Sequence, residues 1–175
     1  MSVERSRRLV VLRHAKSAWP EGVGDRDRPL AARGLRDAPA AGRWLRTAGC
    51  GPDAVVCSPA RRTRQTWDLV AAELDAVPAV TFDERVYGAS LPVLLDVLHE
   101  TLEQVRCLLL VGHFPGVQEL ALALARDALG DARERMSAKF PTSALAALAM
   151  SDRWDQVGEG SAVLTDFVVP RGQKP

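Results

Sequence analysis

Two short apolar runs in this chain end in a histidine. Leu9-Val10-Val11-Leu12 leads into Arg13-His14, and Cys107 to Val111 leads into Gly112-His113. A continuous apolar run of this length reads as a strand buried on both faces. In open α/β sheets ligands bind beyond the carboxyl ends of the strands. Both imidazoles would therefore reach one crevice from different strands. A neutral imidazole, with a reference pKa of about 6.5, is a competent nucleophile near pH 7. A third element lies between them. Ser58-Pro59 opens a helix, since serine is a good N-cap and proline suits the first helical position. Arg61, Arg62 and Arg64 crowd its first turns. The positive end of the helix dipole disfavours cations there. Either these arginines are simply solvated, or they and the leading N–H groups serve an anion such as a phosphate. His99 falls inside a predicted helix among charged neighbours and reads as a surface residue.

Leu9 to Leu12, Ala54 to Cys57, Val80 to Phe82 and Cys107 to Val111 are predicted as strands, with Ala144 to Met150 and Ala162 to Val169 as the last two. Helices are predicted over Gly34 to Ala48, from Ser58 to about Leu74, over Leu91 to Leu102 and over Val117 to Leu129. The first places Leu35, Ala38, Trp44 and Leu45 on one face, with Pro39 forcing a kink or a late start. The third turns Leu94, Leu95 and Leu98 inward. Alternating strands and helices imply an α/β domain, a three-layer sandwich with a largely parallel central sheet flanked by helices. The 175 residues suit one domain over 1–175, with residues 1–7 and 170–175 expected to fray.

Composition narrows the function. The net charge of +1 is too balanced for a nucleic-acid or membrane-surface binder, so any anion site must be a local cluster. Three cysteines at wide spacing, Cys50, Cys57 and Cys107, fit neither a disulfide framework nor a zinc motif. No stretch approaches the roughly 20 apolar residues of a membrane span, and the run at Leu9 is too short for a signal-peptide core. A cytoplasmic protein with reduced thiols is expected. A P-loop and an Asp-rich metal cluster are both absent from the sequence.

Three motifs carry a resemblance. Leu12-Arg13-His14-Ala15-Lys16-Ser17 resembles the Arg-His signature of the histidine phosphatase superfamily. Ser58-Pro59-Ala60-Arg61-Arg62-Thr63-Arg64-Gln65-Thr66 is similar to its Ser-Pro-x-x-Arg-x-x-Gln-Thr segment, and Val111-Gly112-His113-Phe114-Pro115 to the segment bearing its second histidine. Asp27-Arg28-Pro29-Leu30, Arg33-Gly34 and Phe140-Pro141-Thr142-Ser143-Ala144 further resemble the SixA-type phosphohistidine phosphatases. The resemblance implies a compact phosphoglycerate-mutase-like fold without long lid insertions. It also implies that His14 takes the phosphoryl group, and that Arg13, Arg62 and His113 hold the equatorial oxygens. By that spacing the phosphate-binding arginine is Arg62, not Arg61 or Arg64. Lys16 and Ser17 become candidate substrate-binding residues. Asp83-Glu84-Arg85-Val86-Tyr87-Gly88 resembles the region that supplies the general acid in mutase-like members, with Glu84 at the acid's place, either as that acid or as a surface residue. Asp27 is a second candidate acid, and SixA-type members often lack a clear one. No metal or other cofactor is required, because arginines supply the charge that Mg²⁺ supplies elsewhere.

Three activities stay open from the sequence: hydrolysis of protein phosphohistidine, a phosphatase or mutase activity on small phosphorylated metabolites (the short chain argues against the mutase), and non-catalytic phosphate binding. The intact set Arg13, His14, Arg62 and His113 argues against the last. The expected partner is a phosphorylated protein or a small phosphorylated substrate, with no nucleic acid and no membrane. The oligomeric state is unknown from sequence.

Overall fold

The computed structural model describes residues 6–175. The chain opens with β1 (Arg7–Arg13), continues through α1 (Ala32–Thr47), β2 (Ala54–Cys57), α2 (Arg61–Ala71) and β3 (Val80–Phe82), then α3 (Leu91–His99) and β4 (Cys107–Gly112). It ends with α4 (Gly116–Leu124), β5 (Ala125–Ala128), α5 (Ala132–Ala138), β6 (Leu145–Met150) and β7 (Ala162–Val168). The strands form one seven-stranded sheet in the order β3-β2-β4-β1-β6-β7-β5. β3, β2, β4 and β1 pair in parallel, and β6 runs antiparallel to both β1 and β7. β5 pairs with β7 in parallel.

The apolar runs are continuous because both faces of the central strands are covered. Strand side chains alternate between faces. Leu9 and Val11 of β1 join Leu108 and Leu110 of β4 in a core with Leu94, Leu98, Leu120 and Leu124 of α3 and α4. Val10 and Leu12 join Leu109 and Val111 in a second core with Leu45, Trp67 and Val70 of α1 and α2. The expected three-layer arrangement follows.

Several boundaries differ from the sequence expectation. α1 runs through Pro39 without interruption. Leu35, placed on its inner face by pattern, is 49% exposed, whereas Ala38 and Leu45 are fully buried. α2 begins at Arg61 with Ala60 rather than Ser58 at the N-cap position, and the Ser58 hydroxyl lies 2.7 Å from His113 Nε2 while accepting from Ala60 N–H at 3.4 Å. α3 stops at His99 and α2 at Ala71. The helix expected over Val117 to Leu129 ends at Leu124, where the chain becomes strand β5, paired with β7. Helical periodicity does not reveal that pairing, because it depends on a partner some 37 residues away (Ala125 to Ala162). A further helix, α5, lies outside the helices that the sequence predicts. His99 is half-buried rather than on the surface, with Nε2 2.7 Å from the Val157 carbonyl.

Arg7, Arg171 and Gly172, within the segments expected to fray, make specific contacts. Residues 1–5 lie outside the described residues. Arg7, expected to fray, is 7% exposed and bonds Glu103 and the Asp152 carbonyl. At the other end Arg171 donates to the Thr142 carbonyl and pairs with Asp37, and the Gly172 N–H donates to Asp37 Oδ1 at 3.0 Å. Asp37 is buried, and these charges offset its desolvation.

Gly34 of α1 lies against the loop that follows β1. A Cβ there would sit 2.2 Å from the Lys16 carbonyl oxygen, so backbone would have to move. Gly34→Ala is therefore expected to destabilise the fold by about 1–3 kcal/mol through overpacking, against the gain of about 1 kcal/mol that alanine brings to a free helix. Urea unfolding checks this. A variant as stable as the parent would show that the approach of α1 to Lys16 is loose.

Candidate active site

The register of the central strands brings the site together. β1 and β4 pair with Arg13 opposite Gly112, so His14 and His113 are the next residues on adjacent parallel strands. Neighbouring strands lie about 4.8 Å apart, and the two imidazole centroids are 5.3 Å apart. β2 pairs with Cys57 opposite Val111, which delivers Ser58 beside them. Backbone bonds continue this alignment past the strand ends: His14 N–H donates to the Gly112 carbonyl, and Ser58 N–H to that of Val111.

The remaining motif residues hold the loops around these strand ends. Thr66 Oγ1 accepts from Ala15 N–H at 3.0 Å and donates to the Arg62 carbonyl. Gln65 Oε1 accepts from Leu30 N–H at 2.8 Å. Together these tie α2 to the segment after His14. The Ser143 N–H donates to the Arg13 and His14 carbonyls, with Ser143 at a φ of 65°. The Arg13 guanidinium donates to the Phe140 carbonyl at 2.8 Å. The 140–144 segment thus pins the end of β1.

His14 is 7% exposed, with Nδ1 2.7 Å from the Ala15 carbonyl. Only a donor satisfies that contact, so Nδ1 carries the proton and Nε2 keeps its lone pair. Burial pushes the imidazole down to about 3, with His113, Arg62 and Arg13 adding to the effect and the Ala15 bond opposing it. Burial and the Arg62 guanidinium push His113 down to about 4. Its Nδ1 lies 3.3 Å from Arg62 Nη2, which can only donate, and its Nε2 lies 2.7 Å from Ser58 Oγ. His113 is accordingly a neutral imidazole with the proton on Nε2.

A cavity of about 230 Å³ is lined by Arg13, His14, Lys16, Ser17, Arg28, Arg62 and His113, together with Trp19, Phe114 and Thr142. Six of the residues singled out from sequence, Arg13, His14, Lys16, Ser17, Arg62 and His113, meet here. Lys16 is exposed and Ser17 is buried. Of the arginine cluster only Arg62 enters the cavity. Arg61 is exposed, and Arg64 stacks on Phe82 at 3.9 Å. α2 contributes through the Arg62 side chain, since residues 58–61 do not line the cavity. Arg13 Nε and Arg62 Nε are buried and have no hydrogen-bond partner among the described residues. Two unpaired guanidinium N–H groups beside a polar cavity suit an anion.

Glu84 does not join them. Its carboxylate forms a two-point pair with Arg26 and is 69% exposed. The Arg26 bonds hold it below the usual carboxylate range. Asp27 is exposed and does not line the cavity either. Asp25 does not line the cavity itself but is the carboxylate bonded to two of its arginines, Arg62 and Arg28. It accepts from Tyr87 at 2.5 Å, from Arg62 Nη2 at 3.1 Å and from Arg28 Nε at 3.2 Å. These donors, Tyr87 foremost, hold it down to about 2. Asp25, Tyr87, Arg28 and Trp19 were missed in the sequence as site residues. The motif Asp27-Arg28-Pro29-Leu30 was the available signal for Arg28. A separate groove of about 430 Å³ beside β2 and β3 brings no histidine together.

Among the described residues no group of three or more His, Cys, Asp or Glu is placed to hold a metal ion, and no helix is long and apolar enough to cross a membrane.

The family profile of the histidine phosphatase superfamily (branch 1) matches residues 9–90. An uncharacterised protein of Mycobacterium tuberculosis is 46% identical over 162 residues, covering 91% of this chain and 100% of its own length. SixA of Nakamurella multipartitia, named as a candidate phosphohistidine phosphatase, superposes with a TM-score of 0.84 at 30% identity, covering 94% of this chain and 96% of that one. The protein histidine phosphatase SixA, solved with tungstate, shares the fold with a TM-score of 0.75 at 22% identity, over 93% of this chain and 97% of that one.

Both site imidazoles resist protonation in the folded state. The unfolded chain therefore binds more protons between its own midpoint near 6.5 and the folded values of about 4 and about 3. Stability from these two groups is lost as pH falls through that interval. In an NMR titration of the ligand-free protein, the His14 and His113 ring signals should keep neutral shifts from pH 7 down to about 5. A midpoint near 6.5 for either ring would contradict the buried, arginine-flanked site.

Proposed function

The chain belongs to the histidine phosphatase superfamily, and from that membership we propose that it is a metal-independent phosphatase acting on protein phosphohistidine through a phosphoryl group carried on His14. The observation that carries this reading is one cavity holding an unprotonated His14 Nε2 among Arg13, Arg62 and His113. In this mechanism the Nε2 lone pair attacks phosphorus in line, from about 3 Å. A nitrogen–phosphorus bond to His14 forms as the substrate's own bond to phosphorus breaks, and the leaving group keeps the electron pair. Water then attacks phosphorus, His14 recovers its lone pair, and inorganic phosphate departs. The Nδ1–H bond to Ala15 steadies the positive charge that develops on the ring. Arg13 and Arg62 neutralise the equatorial oxygens, which is most of what phosphoryl transfer demands. His113 accepts from Arg62, and would have to take a proton on Nδ1 to donate to a bound dianion.

The preference for phosphohistidine rests on leaving-group chemistry. An alkyl oxide needs a proton from a general acid. Glu84 is bound to Arg26, and Asp25 is held ionised by Tyr87 and Arg62. An imidazole leaving from an N-phosphoryl bond needs far less help. The short α3 region between Tyr87 and Val105 adds no lid over the cavity, which favours a phosphorylated side chain presented on a protein surface. The same reading puts the enzyme in the cytoplasm, where its free thiols at Cys50, Cys57 and Cys107 would stay reduced.

The test is kcat/KM measured at one pH on a phosphohistidine-bearing protein domain, 3-phosphoglycerate and sugar phosphates. The phosphohistidine domain should be turned over with the higher kcat/KM. A clear preference for a glycerate or sugar phosphate would overturn the substrate assignment.

A further inference from the structure

Two aromatic side chains on the rim of the His14 cavity take no part in the chemistry above. Trp19 is 75% exposed and Phe114 48% exposed, and both border the cavity. Trp19 belongs to neither of the two main cores, so the fold does not account for it. An indole left in water forfeits most of the transfer free energy that its burial would bring.

The indole is nonetheless held. The Arg28 guanidinium lies 3.5 Å from its ring centroid, a close cation–π stack. Arg28 is itself only 7% exposed, with Nε on Asp25 Oδ1 and Nη1 directed at the Ala18 carbonyl. Asp25 is in turn bound to Arg62 and Tyr87. A chain of charge-assisted bonds therefore runs from the anion-binding arginine to the indole at the cavity mouth. Phe114 repeats the theme more loosely, with the Arg13 guanidinium 5.1 Å from its centroid. One face of each ring meets a site cation, and the exposed remainder stays open to a ligand.

A pinned, open aromatic surface at the mouth of an anion site suits a planar group. Stacked or edge-to-face ring contacts gain more than the area they bury, and an alkyl chain lacks that gain. We propose that Trp19 is a specificity-determining residue that stacks on the planar ring bearing the phosphoryl group, so that aromatic and imidazole phosphoryl donors are bound in preference to alkyl ones. This inference rests on the phosphatase reading and names the chemical class that the cavity mouth selects.

The test uses phosphonates, whose carbon–phosphorus bond is not hydrolysed, so binding is read without turnover. Calorimetry compares phenylphosphonate with methylphosphonate in the parent protein, Trp19→Ala and Trp19→Phe. The parent should bind the phenyl compound about tenfold more tightly. Trp19→Ala should bring the two within about twofold of each other, and Trp19→Phe should keep most of the preference. Both ligands are measured on one preparation, so a general weakening of the anion site cancels in the ratio. Should Trp19→Ala bind neither ligand, Trp19→Leu, which keeps bulk without a π face, replaces it with the same two outcomes. Equal affinities in the parent, or a full phenyl preference in the variant that lacks the indole, would overturn the proposal. A parent protein with no turnover on any phosphorylated substrate would instead defeat the phosphatase reading, and the binding ratios would remain interpretable.

Discussion

The bond from His14 Nδ1–H to the carbonyl of Ala15 sets the terms for the rest of the site. It spans a single residue, immediately after the end of β1. It fixes the tautomer and leaves Nε2 as the unprotonated ring nitrogen. The bond would by itself favour a charged ring, and burial together with His113, Arg62 and Arg13 outweighs it. A buried imidazole flanked by guanidiniums stays neutral at physiological pH, which is the state in which its lone pair is available. Much of the surrounding framework keeps that segment in place. Ser143 N–H holds the His14 carbonyl, Thr66 holds Ala15 N–H, and the close approach of Gly34 to Lys16 fixes the chain beyond.

The arginines face an opposite constraint. Positive charge in a half-buried site must be paired or left facing a ligand. Arg62 is paired with Asp25, which also receives Arg28 and Tyr87. This carboxylate supplies negative charge beside Arg62. Arg13 and Arg62 each keep a buried Nε without a hydrogen-bond partner among the described residues. The site is thus only partly neutralised by the protein, as expected of one built to receive an anion.

Much of this was legible in the sequence because the informative features are local. An apolar run ending in Arg13-His14 and another ending in Gly112-His113 announce strand ends, and the rule for open α/β sheets brings them to one crevice. The spacing from Ser58 separates Arg62 from its neighbours, and the structure buries Arg62 while leaving Arg61 and Arg64 exposed. What was not legible depends on partners distant in sequence. Glu84 is drawn away by Arg26, some 58 residues earlier, and nothing local to Glu84 signals that pair. Asp25 rather than Asp27 meets Arg62 and Tyr87, from the first position of a short 3-10 turn over Asp25–Asp27. The helix expected beyond Leu124 yields to strand β5 because β7 offers an edge to pair with. Ser58 reads as the helix cap, whereas α2 starts at Arg61 and the Ser58 hydroxyl also meets His113, which the β4 strand end brings from a distance in sequence.

The central claim is that the phosphoryl group passes through His14 Nε2. Rapid-quench labelling with a radiolabelled phosphoryl donor tests it most directly. The account predicts a transient phosphoprotein that is acid-labile and alkali-stable, maps to His14, and is absent in His14→Ala along with turnover. A His14→Ala protein that turns over at close to the parent rate, or a label on any other residue, would contradict it.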